Sequence, residues 1–215
     1  MSELDILTKI KTDGICGIIR KVTSDQAINI TEALLKGGVS VVEVAFNTPN
    51  AATIITELKR QFGSQLTVGA GTVLDTETAR TAILAGADFI LSPTLHTDVI
   101  RMCKKYNVLA VPGVYTPTEI IQAWEAGAHI VKIFPAVTMT PAFISQVKGP
   151  LDQIDIMAVG GITEENTEAF VRAGASCVGI GSEIAGLKLV KNDSYERITE
   201  KAVAFREIIQ RAKQS

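Results

Sequence analysis

The sequence predicts a single-domain α/β protein over residues 1–215, a closed (β/α)₈ barrel (TIM barrel). Three observations support this fold. Short continuous apolar runs alternate with longer amphipathic segments along the chain, and such runs are typical of parallel strands buried on both faces. Eight strand-helix pairs occur in order, and a small-residue motif recurs before every second strand. An open doubly wound sheet is the alternative.

Both kinds of element can be placed from the apolar pattern. Strands are predicted at residues 15–20, 39–46, 66–71, 89–93, 108–114, 130–135, 154–160 and 177–181. Helices are predicted at about residues 24–37, 51–62, 75–85, 96–106, 117–126, 141–148, 164–173 and 195–212, with a short extra helix from Glu183 to Leu187. Two starts pair an N-cap threonine with a proline, at Thr116-Pro117 and at Thr140-Pro141.

The recurring motif aligns the four even-numbered strands with one another. Its copies are Lys36-Gly37-Gly38-Val39, Leu84-Ala85-Gly86-Ala87, Glu125-Ala126-Gly127-Ala128 and Arg172-Ala173-Gly174-Ala175. Each glycine is expected at a helix C-cap. Because side chains alternate along a strand, equal offsets from the motif share one face. The lower layer is then Val41, Phe89, Ile130 and Cys177. The middle layer is Glu43, Leu91, Lys132 and Gly179, and the upper layer is Ala45, Pro93, Phe134 and Gly181.

Composition and charge exclude several classes of protein. Hydrophobic residues make up 47% of the chain and charged residues 20%, which rules out a disordered chain. The net charge is −2 with no basic stripe, so we expect no nucleic-acid partner. No apolar run reaches membrane-spanning length and no signal segment is recognisable. Three widely spaced cysteines favour a reduced, cytoplasmic setting.

The middle layer holds the residues that indicate chemistry. Lys132 and Glu43 each interrupt an apolar strand, which is costly unless the charge is paired or functional. Glu43 belongs to strand two and Lys132 to strand six, on opposite sides of an eight-stranded barrel. We expect open space between them, beside Leu91 and Gly179. A buried lysine whose pKa is lowered by desolvation is suited to Schiff-base formation, and a nearby carboxylate to moving protons. A structural ion pair is the alternative.

Glycines near the last two strands indicate an anion site. Gly160 and Gly161 end strand seven, and Gly181 and Ser182 end strand eight, just before the short extra helix. The loops after strands seven and eight are the usual phosphate site of this fold. Alternatively, these glycines serve only tight turns of the barrel.

Two more polar residues are expected at the same rim. Arg20 ends strand one and Thr72 directly follows strand three, where a guanidinium and a hydroxyl could meet a substrate carboxylate. A surface role for the arginine is the alternative. No His, Cys, Asp or Glu cluster has metal-ligand spacing, so neither a metal nor another cofactor is expected.

The chain resembles the class I 2-keto-3-deoxy-6-phosphogluconate (KDPG) and 4-hydroxy-2-oxoglutarate (KHG) aldolases from residue 14 to residue 211. The most specific matching stretches are Gly69-Ala70-Gly71-Thr72-Val73 and Val131-Lys132-Ile133-Phe134-Pro135. The resemblance implies a metal-free homotrimer that cleaves a phosphorylated 2-keto-4-hydroxy acid to pyruvate and an aldehyde. It implies Lys132 as the Schiff-base lysine and Glu43 as the acid/base.

The resemblance also implies the remaining pocket residues. Thr72 and Arg20 would hold the pyruvate carboxylate, and Pro93 and Phe134 would line the pocket. Gly160, Gly161 and Ser182 would bind the phosphate end of the substrate.

Two positions depart from the 6-phosphogluconate pattern. Asn47 stands where some of those members carry arginine, and Val159 stands where many carry threonine. Both resemble the 6-phosphogalactonate branch, so that substrate is one alternative. Two further alternatives are a non-catalytic sugar-phosphate-binding barrel and an isomerase that uses Glu43 as its base.

Overall fold

The computed structural model describes residues 2–186, 189 and 194–214. Its strands are β1 Ile15–Ile19, β2 Val41–Ala45, β3 Thr67–Gly71, β4 Phe89–Leu91, β5 Leu109–Val111, β6 Gly113–Val114, β7 Ile130–Ile133, β8 Asp155–Val159 and β9 Cys177–Ile180. Its helices are α1 Glu3–Asp13, α2 Ser24–Lys36, α3 Ala51–Phe62, α4 Thr76–Leu84, α5 Thr97–Lys105, α6 Pro117–Glu125, α7 Thr140–Lys148, α8 Glu164–Arg172, α9 Ser182–Ala185 and α10 Tyr195–Gln214.

The strands form one parallel sheet that curls into a nearly closed barrel. Its order is β5-β4-β3-β2-β1-β9-β8-β7-β6, and every pair is parallel. The two ends, β5 and β6, are halves of the predicted fifth strand, separated by Pro112 alone. The Lys132 N–H on β7 donates to the carbonyl of Pro112 at 2.8 Å, so β7 also pairs with the residue that links the two edge strands. The barrel prediction is confirmed, and the open doubly wound alternative is wrong.

The repeated small-residue motif forms the same turn four times. In the second copy, the Gly86 N–H donates to the Ile83 carbonyl and the Ala87 N–H donates to the Ala82 carbonyl. This paired pattern is the Schellman motif. The last glycine of each copy has a positive φ: Gly38, Gly86, Gly127 and Gly174. The expectation of a C-cap glycine is confirmed in the first copy, where the C-cap is Gly37. It is wrong in the other three copies, where alanine is the C-cap and the left-handed glycine follows it.

The lower layer lies in a buried core inside the barrel, as its alignment predicts. Val41, Phe89, Ile130 and Cys177 share one cluster with Ile10. Ile10 belongs to α1, which contributes Ile6 and Leu7 to the same cluster and closes the amino-terminal end of the barrel. The prediction from the apolar pattern missed α1. Its signal is a capping box in which Ser2 and Asp5 satisfy each other's backbone N–H groups.

Helix starts are predicted with mixed success. Thr116 caps α6, with Pro117 following and Glu119 completing a capping box, as expected. Thr140 does not cap α7: its φ is 55°, the N-cap residue is Met139, and no side chain caps this helix. The short helix α9 begins at Ser182, one residue before the predicted start. Its predicted end, Leu187, lies outside the described residues.

Candidate active site

A single cavity at the carboxyl end of the barrel collects every predicted site residue. It measures about 230 Å³. All twelve predicted site residues are among those that line it: Lys132, Glu43, Arg20, Thr72, Pro93, Phe134, Asn47, Val159, Gly160, Gly161, Gly181 and Ser182. The carboxyl ends of parallel strands all meet at this rim, which explains why residues so distant in sequence converge here.

Lys132 and Glu43 face the same cavity from β7 and β2. Their side chains are buried, at 5% and 3% exposure, so both charged groups are largely withdrawn from bulk water. No salt bridge joins the two side chains in the part of the chain that the structure describes. The Lys132 Nζ instead lies over the ring of Phe134, 5.0 Å from its centroid. The amine nitrogen and the carboxylate oxygens are therefore more than 4.0 Å apart.

The electrostatics of Glu43 are dominated by its burial. Desolvation raises the pKa of this carboxyl above its ordinary value of 4.5, and the positive charges of Lys132 and Arg20 act in the opposite direction. A carboxyl with a raised pKa can exchange protons nearer to neutral pH than an exposed one. This is the behaviour that an acid/base group requires.

The Gly69-Ala70-Gly71 stretch makes room for neighbouring side chains, a role that the sequence pattern does not reveal. A Cβ at Gly71 would overlap the Glu43 carboxylate, and a Cβ at Gly69 would overlap the ring of Phe89. Thr72 follows with a φ of 58°, a left-handed conformation that is rare for a β-branched residue. Such backbone strain is concentrated at functional sites.

Val159 corrects one detail of the predicted middle layer. Its partner in the sheet register is Gly179, and a Cβ on Gly179 would press against the Val159 side chain. The space expected beside Gly179 is therefore occupied by Val159. Sequence alignment of the even strands alone could not show this, because Val159 belongs to an odd-numbered strand of the barrel.

The distal end of the cavity is built from backbone. Gly160 and Gly161 have φ values of 94° and 74°. Gly181 is the N-cap of α9, and Ser182 is the first residue of that helix. Ile18, Ile162, Thr163 and Glu183 also line the cavity and were missed. Arg20, Gly181 and Ser182 border a second, adjoining cavity of about 740 Å³, so this end opens outward.

The described residues contain neither a metal-binding cluster nor a membrane-spanning helix. Among the described residues, no group of three His, Cys, Asp or Glu side chains is arranged to hold a metal ion. Within the same residues, no helix has the length and apolar character needed to cross a membrane.

Comparisons with known proteins agree with one another. The family model described as KDPG and KHG aldolase matches residues 6–201. The 2-dehydro-3-deoxy-6-phosphogalactonate aldolase of Escherichia coli is 35% identical over 191 residues, which cover 87% of this chain and 90% of the relative. The 2-dehydro-3-deoxy-phosphogluconate aldolase of Haemophilus influenzae is 31% identical over 194 residues, covering 90% of this chain and 91% of that one.

A solved structure gives the same result. The KDPG aldolase of Legionella pneumophila, with pyruvate captured as a covalent carbinolamine, superimposes with a TM-score of 0.85 at 28% identity. The match covers 91% of this chain and 95% of that one.

The buried state of Glu43 predicts how the Glu43→Gln variant responds to pH. Because the pKa of Glu43 is raised in the folded protein, the folded state binds this proton more tightly than the unfolded state. The wild type therefore loses stability as the pH rises from about 4.5 to the raised pKa. Glutamine cannot ionise, so the Tm of the variant minus that of the wild type should increase across this interval. Thermal unfolding at a series of pH values measures it.

A difference in Tm that decreases with pH would contradict the expectation, because the ionised carboxylate would then stabilise the fold as the partner of Lys132. Glu32→Gln is the matched control. Glu32 forms an exposed salt bridge with Lys36, so its replacement should leave the pH dependence nearly unchanged.

Proposed function

The chain belongs to the KDPG and KHG aldolase family, and we propose that it is a Schiff-base enzyme acting on a six-carbon 2-keto-3-deoxy-6-phospho sugar acid. The products would be pyruvate and glyceraldehyde 3-phosphate. Cleavage of 4-hydroxy-2-oxoglutarate to pyruvate and glyoxylate would use the same residues. The observation that carries the proposal is the buried Lys132 amine, which shares a cavity with Glu43 without forming a salt bridge to it.

The reaction begins with the amine. Neutral Lys132 attacks the C2 carbonyl of the substrate, and the carbinolamine loses water to form a Schiff base. The positive nitrogen then accepts the electron pair of the C3–C4 bond as that bond breaks. The proton of the C4 hydroxyl passes to the Glu43 carboxylate, directly or through one water, and the aldehyde leaves.

The second half of the reaction returns the enzyme to its starting state. Glu43 gives its proton to C3 of the enamine, which forms the Schiff base of pyruvate. Water then attacks C2, pyruvate is released, and the Lys132 amine is regenerated. Burial of the carboxyl supports this role, because a raised pKa lets Glu43 both accept and donate a proton.

The two ends of the substrate would be held by different chemistry. Thr72 and Arg20, at the ends of β3 and β1, would bind the carboxylate of the pyruvate half. The phosphate would lie at the backbone-rich end formed by Gly160, Gly161 and Ser182. Homotrimer assembly, implied by the sequence resemblance, stays a prediction.

A second candidate substrate is the C4 epimer, 2-keto-3-deoxy-6-phosphogalactonate. Val159 lines the cavity between Lys132 and Gly179, where a threonine would offer a hydroxyl to the substrate and valine does not. Asn47 likewise lines the cavity in place of an arginine. Relatives named as 6-phosphogalactonate aldolases, at 35% and 29% identity, add support for this epimer.

Replacing Lys132 should abolish turnover. Lys132→Ala removes the nucleophile, so kcat for the phosphorylated substrate should decrease by at least roughly 10³-fold. Lys36→Ala is the control, because Lys36 lies in an exposed salt bridge with Glu32 and should leave kcat unchanged. Steady-state assays of pyruvate release measure both. Substantial activity in Lys132→Ala would refute a covalent role.

Replacing Val159 tests the choice of epimer. Val159→Thr is close in volume and adds one hydroxyl, so it should raise the ratio of gluconate-type to galactonate-type kcat/KM by roughly fivefold, the worth of one hydrogen bond. Val159→Ala is the control that removes volume without adding a donor. An equal change in the ratio for both variants would assign the effect to space rather than to hydrogen bonding.

A further inference from the structure

Both carbonyl groups of the glycine pair after β8 are bound from outside the cavity. The Val137 N–H donates to the Gly160 carbonyl at 3.0 Å. The side-chain amide of Asn166 donates to the Gly161 carbonyl at 2.8 Å. Neither donor lines the cavity. A trans peptide is planar and its C=O and N–H point in opposite directions, so the N–H groups of Gly161 and Ile162 point away from these two donors, and both residues line the cavity.

Those two N–H groups are left available for a ligand. Within the described residues, neither the Gly161 N–H nor the Ile162 N–H donates a hydrogen bond to the protein. Ile162 is only 3% exposed. Backbone N–H groups buried to this depth are normally hydrogen-bonded, so an N–H without a partner in the protein is unusual. Two adjacent backbone N–H donors suit an oxyanion.

We propose that Asn166 is a positioning residue that orients the Gly161 peptide toward the phosphate of the substrate. Its side chain bridges two groups: Oδ1 accepts from the Thr163 N–H at 2.9 Å, and Nδ2 donates to the Gly161 carbonyl. Glycine is conformationally free, so the peptide after it needs an external restraint to keep one orientation. This inference rests on the proposed function, because it assigns the phosphate of that substrate to this end of the cavity.

Another helix supplies a control for the capping role alone. In α2, Gln26 occupies the same N3 position as Asn166 does in α8, and its side chain accepts from the N-cap Thr23 N–H at 3.0 Å. Gln26 donates to no carbonyl among the described residues. Gln26→Ala therefore removes a comparable cap without disturbing any glycine peptide of the active site.

The test compares Asn166→Ala with Gln26→Ala. Asn166→Ala should raise KM for the phosphorylated substrate, and the inhibition constant of inorganic phosphate, by roughly tenfold. It should leave exchange of the methyl hydrogens of pyruvate within about twofold of wild type, because pyruvate does not reach the distal end. Gln26→Ala should lower Tm to a similar extent and leave both constants unchanged. An unchanged KM in Asn166→Ala, or a rise in KM matched by an equal loss of pyruvate exchange, overturns the proposal.

Asn166→Asp separates donation from capping and serves if the alanine variant does not fold. Aspartate keeps the acceptor for the Thr163 N–H, so helix α8 stays capped, but it cannot donate to the Gly161 carbonyl. It should weaken phosphate binding at least as much as alanine does, and wild-type affinity in this variant overturns the proposal.

If the wild type cleaves none of the substrates, the proposed function fails. Binding of inorganic phosphate to wild type and variants, measured by calorimetry, then decides the role of Asn166 separately.

Discussion

Two charged side chains buried in the barrel interior constrain the rest of this structure. Glu43 and Lys132 lie at 3% and 5% exposure on strands that face each other across the barrel. Burial of two charges that form no salt bridge is expensive, and the apolar layer beneath them cannot offset that cost by hydrogen bonding. The fold tolerates the arrangement because the surrounding strands are rigidly packed on both faces, which holds the two groups apart for a substrate.

The repeated helix-to-strand turn is what brings these groups to one level. Four Schellman motifs set the start of each even-numbered barrel strand at the same distance from its helix. Glu43 and Lys132 then occupy equivalent positions on β2 and β7, and the glycines of β3 and β9 leave room for the neighbouring side chains. Local backbone chemistry thus determines the depth of the reactive layer, while the loops beyond the strands determine what can bind above it.

Much of this could be predicted from the sequence, because the repeat gives the register of alternate strands directly. It predicted the barrel, its inner layer and the convergence of Glu43, Lys132 and Phe134 on one cavity. Contacts between odd and even strands follow no such repeat, so the filling of the Gly179 space by Val159 could not be predicted. Nor could the restraint of Gly161 by Asn166, since it depends on the direction of one peptide. Thr140 failed as a cap because a threonine before proline does not by itself determine φ.

Covalent catalysis by Lys132 is the central claim, and it can be observed directly. The protein would be incubated with pyruvate, reduced with borohydride, digested with protease and mapped by mass spectrometry. We predict a single reduced pyruvate adduct, located on Lys132, because its amine alone is buried in the cavity beside Glu43 among the described lysines. An adduct on a different lysine, or active enzyme that forms none, would contradict the Schiff-base mechanism.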